Sequence, residues 1–131
     1  MAMGIAPRTL SLWLPPLALM VLIFVLSAMP SDGADRGPLI LFARKAAHFT
    51  EYALLLALWW RALFTRAAAV PALALAFAIA VAYAATDEFH QTFVDGRVGT
   101  PRDVALDAVG AAAAGALILW RRQSRRREVA A

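Results

Sequence analysis

Four apolar stretches, each close to the length a helix needs to cross a bilayer, constrain this chain more than any other feature of it. They run over Leu12–Met29, Leu39–Phe64, Ala67–Thr86 and Val104–Trp120, with short polar joints between them. Four spans of roughly 20 residues each would occupy about 80 positions. A chain of 131 residues that is 62% hydrophobic and only 17% charged has that composition to give. The expected fold is therefore all-α, an integral membrane bundle of four transmembrane helices forming a single domain over residues 1–131. A large soluble catalytic domain is excluded. Cysteine is absent, which removes disulfides, thiolate zinc clusters and thiol nucleophiles.

The first run has Pro15 and Pro16 near its start, where a missing N–H is tolerated, and Pro30 just past its end. Arg8 before it and Ser27-Ala28-Met29 at its end also fit a cleaved signal peptide. The run is long for a signal core and further spans follow, which favours a retained anchor. Ser31–Pro38, with Asp32, Gly33, Asp35, Arg36 and Gly37, reads as the first loop. The second run is unusual in carrying Arg44, Lys45, His48 and Glu51 before its clean segment Ala53–Trp60. The third breaks into Asp87-Glu88-Phe89-His90-Gln91, the fourth includes Asp107, and residues 121–131 form a short Arg-rich tail.

Charge placement sets an expected orientation. Of 13 basic residues, 12 are Arg. With both termini on one side, that side receives Arg8, Arg61, Arg66, Arg121, Arg122, Arg125, Arg126 and Arg127, and the other receives Arg36, Arg44, Lys45, Arg97 and Arg102. The positive-inside rule then makes both termini cytoplasmic in a multi-pass protein of the inner or plasma membrane. Trp13, Trp59, Trp60 and Trp120 fall at the same cytoplasmic ends, as an interfacial belt requires. The high pI thus reports topology, and nucleic acid is not an expected partner. Eight of the nine acidic residues fall toward the outer half, Glu128 being the exception.

At about 1.5 Å per residue, Glu51 lies roughly 13 Å above the Trp59/Trp60 belt, His48 roughly 17 Å and Arg44 roughly 23 Å. An ionisable group at such depth is costly unless paired or wet, so it defaults to a functional candidate. Arg44, His48 and Glu51 recur at i, i+4 and i+7, with Lys45 and Tyr52 on the adjoining row. On helix three, Tyr83, Asp87, His90 and Gln91 repeat that geometry, while Glu88 projects about 100° away. Helix four offers Asp103 and Asp107 at i, i+4, followed by the slim segment Gly110–Gly115. That segment reads first as packing, and its use is to let another backbone approach and to bring Asp107 within reach of helix two or three. Between helices three and four, Asp95-Gly96 reads as a turn and Thr100-Pro101-Arg102-Asp103 as a helix start, with Thr100 as N-cap and Asp103 in the first turn. Arg97 has no capping role there and is a candidate for pairing with an acid or holding an anion.

The segments Arg44-Lys45-Ala-Ala-His48-Phe49-Thr-Glu51-Tyr52, Asp87-Glu88-Phe-His90-Gln91-Thr-Phe93-Val94-Asp-Gly96-Arg97 and Asp103-Val-Ala-Leu-Asp107-Ala-Val-Gly110 resemble the VanZ-like membrane protein family. The resemblance covers about residues 40–115. Asp95 stands where Pro is common in that family, and Asp107 where Asn is frequent, which adds a carboxylate. The resemblance implies a small integral membrane protein at the cell envelope. The family's founding member is associated with resistance to teicoplanin-type glycopeptides. No reaction is implied.

Two functions from different classes fit these residues best, and a transporter or proton relay fits less well in a chain with so few spans unless it oligomerises. In the first, the outer polar cluster binds an anionic or lipid-linked ligand, with Arg44, Lys45, Tyr52, Gln91, Arg97, Asp103 and Asp107 as ligand-binding candidates. The expected partners are membrane lipid and a lipid-linked envelope precursor or glycopeptide. In the second, the cluster is an acid/base or metal-assisted enzyme, with His48, Glu51, Asp87, Glu88 and His90 as catalytic candidates. Its metal form would use His48, Glu51, Asp87 and His90 as ligands. No nucleophile stands out, no helix carries a His pair at i, i+4, and no cofactor is expected.

Overall fold

Helix is the only regular structure among the described residues. The computed structural model describes residues 7–31 and 37–130, which contain α1 (Pro7–Ser27), α2 (Pro38–Leu63), α3 (Ala69–Gln91) and α4 (Pro101–Ala130). Residues 32–36, and with them Asp32, Gly33, Asp35 and Arg36 of the expected first loop, lie outside the described residues. By length and composition, α1, α3 and α4 are long and apolar enough to cross a membrane. α2 has 26 residues, ample length, but Arg44, Lys45, His48 and Glu51 lower its hydropathy.

The helices outrun the apolar stretches because backbone hydrogen bonding does not stop where hydropathy does. α1 begins at Pro7, so Pro15 and Pro16 sit inside it and not near its start. Proline at position 15 cannot donate to the carbonyl four residues back. That carbonyl, on Ser11, instead accepts from Arg61 Nη2 of α2 at 2.6 Å. α2 starts with Pro38 in its first turn, after Gly37. α4 starts at Pro101, three residues before its apolar run, and continues past Trp120 to Ala130, so the Arg-rich tail is helix. Arg, Gln, Glu and Ala are good helix formers, which suits that extension.

Small side chains line the buried face of α3, and many large apolar ones lie on the exterior. Ala72, Ala76, Ala80 and Ala84 make a buried seam at i, i+4 along α3, and the last three join Ile23 of α1, Tyr52, Leu55 and Leu56 of α2 and Ala111 of α4 in one core. Large apolar residues such as Val21, Phe42, Val70 and Val109 are exposed. Small residues at helix contacts with an apolar outer surface are the pattern of helices packed in lipid. α2 and α3 form the centre, α1 packs on one flank of the pair and α4 on the other, and the α2–α4 contact is the most extensive.

The two ends of the bundle differ chemically. At the end where α2 stops and α3 starts, Trp13 meets Trp59 edge-on at 5.9 Å, Arg66 lies over Trp13, and Arg122 lies over Trp60 and Phe64. At the opposite end, where α3 stops and α4 starts, the acidic residues gather.

Candidate functional site

The α3–α4 connection closes this second end. After α3, Arg97 N–H donates to Val94 O at 3.0 Å, closing a turn in which Gly96 takes φ 71°. A side chain at Gly96 would also collide with the Ser31 carbonyl, so only glycine serves there. The next stretch folds back on the last turn of α3: the Glu88 carboxylate accepts the Thr100 N–H at 3.0 Å. Thr100 then caps α4, its Oγ1 accepting the Asp103 N–H at 3.3 Å and donating to Asp103 Oδ2 at 2.8 Å. In a capping box the acid three residues on receives the cap's own N–H. Here Glu88, from another helix, receives it, which fixes the start of α4 to the end of α3.

α2 brings the cations. Lys45 Nζ donates to Asp103 Oδ1. One turn deeper, His48 Nδ1 stands 3.6 Å from Asp107 Oδ1. That distance is too long for a hydrogen bond. Asp107 is 1% exposed, and neither of its oxygens has a hydrogen-bond partner. The close approach of α2 and α4 depends on Gly110, where a Cβ would run into the Phe49 carbonyl and its backbone. The slim segment does bring Asp107 to α2.

These elements enclose a pocket of about 270 Å³, walled by Leu41, Val98 and Leu106 on its apolar side. Of the twelve candidates, Arg44, Lys45, His48, Glu88, Gln91, Arg97, Asp103 and Asp107 line it. Glu51, Tyr52, Asp87 and His90 do not. Tyr52 is buried on the α3 side of α2, 6.4 Å from the Tyr83 ring, and Glu51 is half-buried beside it in sequence. Asp87 and His90 face α1: Asp87 accepts from Ser27 Oγ at 2.5 Å and Gln91 Nε2 at 3.1 Å, and His90 stacks on Phe24 at 4.3 Å. The expected shared face of α3 is thus divided. Glu88, placed off that face by its 100° step, turns into the pocket, while Asp87 and His90 turn from it.

The metal grouping changes accordingly. Ligating atoms of His48, Glu88 and Asp107 lie within 4.8 Å of one another, and Glu51, Asp87 and His90 of the expected set are not in that group. Arg97 does have a capping role, though not for α4. Its Nε and Nη2 donate to Met29 O and Leu26 O, both at 3.1 Å, at the C-terminal end of α1. Ser31 N–H adds a bond to Asp95 O. Cations complement the carbonyl end of a helix dipole, which explains the choice of arginine.

From sequence Ser27 stands out only as one of the small residues that fit a signal-peptide cut. It is buried and joins α1 to Asp87. The signal was present, because Ser27 is the lone hydroxyl in Leu12–Met29. A hydroxyl in an apolar helix bonds its own backbone cheaply, as Ser27 also does to Phe24 O, so it does not announce a partner.

No curated protein and no solved structure matches the chain. A family model, VanZ/LLP1, matches residues 11–122, and that span includes the tryptophan-rich end, the α2–α4 contact and every residue of the pocket. With the match covering nearly all of the chain, the protein belongs to the VanZ/LLP1 family.

Proposed function

We propose that the protein is a four-span membrane protein with both termini cytoplasmic, whose pocket binds the phosphate-bearing head of a membrane lipid or lipid-linked envelope precursor at the outer face. α2 serves as the fourth span because its polar stripe turns toward α4 and the pocket. The orientation is supported by the tryptophan and arginine contacts gathered at the end opposite the pocket. Reporter fusions check it: one placed after Arg66 should read cytoplasmic, and those after residue 36 and after Gly99 extracytoplasmic. Reversed readings would overturn the arrangement.

The ligand reading is carried by one observation: Arg44, Lys45 and Arg97 line a cavity that also has an apolar wall of Leu41, Val98 and Leu106. Such a mixture suits an anionic head group with an attached chain. Lys45 keeps 57% of its side chain exposed beside its Asp103 pair, so an incoming anion can reach it. Binding of a lipid-linked precursor is the route by which an envelope role, glycopeptide tolerance included, would follow. Catalysis fits less well, since among the described residues lining the pocket none offers a hydroxyl or thiol nucleophile.

Titration of the purified protein with short-chain phosphatidylglycerol and phosphatidylcholine tests the reading. The anionic lipid should bind preferentially. With about 1 kcal/mol for each cation near an anionic surface, the double variant Arg44→Ala/Lys45→Ala should lose roughly thirtyfold in affinity. Equal binding of both lipids, or no loss in the variant, would refute it.

A further inference from the structure

We infer that His48, Glu88 and Asp107 form a binding site for one divalent transition-metal ion of the zinc or manganese class, at the floor of the pocket. The proposal deepens the head-group reading by assigning the pocket a cation, and rests on it only for what that cation then does.

Three observations converge on these residues, which come from three different helices. The first is distance: one ligand atom from each residue, an imidazole nitrogen and two carboxylate oxygens, lies within 4.8 Å of the others. Bonds of about 2.0–2.1 Å in a tetrahedral site set ligand atoms about 3.4 Å apart. The His48–Asp107 separation of 3.6 Å is already near that value. Closing the remaining gap, from at most 4.8 Å to about 3.4 Å, takes a shift of no more than about 1.4 Å at the Glu88 carboxylate.

The second is the state of Asp107. It is 1% exposed, it lines the pocket, and both oxygens lack any hydrogen-bond donor. His48 Nδ1 beside it is also buried and unbonded. A simple ion pair would draw closer and would still leave the second carboxylate oxygen unsatisfied. An ion between the three residues gives Asp107 and His48 the partner they lack.

The third is charge. Two carboxylates and a neutral imidazole around a doubly charged ion sum to zero, which is what a site inside an apolar bundle demands. Asp103, the remaining acid of the pocket, is engaged by Lys45 and Thr100. Glu88 is oriented from behind by the Thr100 N–H and by Gln91 Nε2 at 3.3 Å, and a carboxylate retains further lone pairs after accepting both. Outer-shell bonds of this kind hold metal ligands in place. Three protein ligands leave a coordination position open toward the cavity, available to water or to a phosphate oxygen.

Protein with a histidine-free affinity tag, stripped with chelator and desalted in detergent, should bind one equivalent of zinc per chain by calorimetry, with manganese run in parallel and bound metal counted by mass spectrometry. Asp107→Asn, His48→Gln and Glu88→Gln should each weaken binding by about a hundredfold or more, exceeding the loss typical of outer-shell changes. Glu51→Gln, whose carboxylate lies off the pocket, should bind as the parent does. Helix content and gel-filtration profile identify folded variants. If Asp107→Asn fails that check, Glu88→Gln decides, because the amide oxygen can still accept the Thr100 N–H. Failure of the folded parent to take up metal, or unchanged binding in the folded variants, overturns the site. The titration contains no lipid ligand, so that failure leaves the head-group reading standing. If the metal binds but does not raise affinity for phosphatidylglycerol, the site holds and its link to the head group falls.

Discussion

Gly110→Val should leave almost no folded protein, whereas Gly115→Ala, five residues along the same helix, should be neutral or slightly stabilising. At Gly110 the obstacle to a side chain is the Phe49 carbonyl and Cα, which are backbone in the middle of α2 and cannot rotate aside. A larger residue there forces α2 and α4 apart over their most extensive contact, and even Gly110→Ala should cost about 2–4 kcal/mol. At Gly115 a Cβ would meet only Leu73 side-chain carbons, the nearest at 3.7 Å, an ordinary van der Waals contact. Replacing glycine by alanine inside a helix gains up to about 1 kcal/mol. Thermal unfolding in detergent, followed by tryptophan fluorescence, measures both. Equal stability of Gly110→Ala and Gly115→Ala would mean that α2 and α4 do not approach as described.

Asp87→Ala should loosen α1, lowering stability by about 2–3 kcal/mol, while Asp87→Asn should lose much less. Asp87 is 2% exposed and accepts from Ser27 and Gln91, themselves buried. Alanine withdraws the acceptor and leaves two buried donors poorly served, since the fallback bonds of Ser27 to Phe24 O and Gln91 to Glu88 are longer at 3.1 and 3.3 Å. Asparagine keeps one acceptor oxygen for Ser27. α1 has the smaller share of the bundle's contacts, so this buried link matters more to it than a similar bond would to α4. The same thermal assay ranks the three proteins, and an alanine variant as stable as the asparagine one would show that the Ser27–Asp87 link contributes little.

Much of the protein could be read from its residues in order. Apolar run length and the Arg and Trp distribution gave four helices and two chemically distinct ends, because desolvation and interfacial preference act on each segment independently of its neighbours. Thr100-Pro101-Arg102-Asp103 announced the start of α4 for the same reason, since a cap is a local bond. Helical spacing also put Arg44, His48 and Glu51 on one strip of α2.

Tertiary structure alone decided how each strip is aimed. The helical period states which residues share a face, but rotation of a helix about its axis is fixed by which small residues let a neighbour in. The Ala72–Ala84 seam turns α3 so that Glu88 meets His48 and Asp107 while Asp87 and His90 meet α1. Gly110 and Gly115 look alike in sequence and differ only in what stands opposite them. Arg97 finds the carbonyl end of α1 nearly 70 residues back in the chain, at separations of 68 and 71, a partner that no local rule could name.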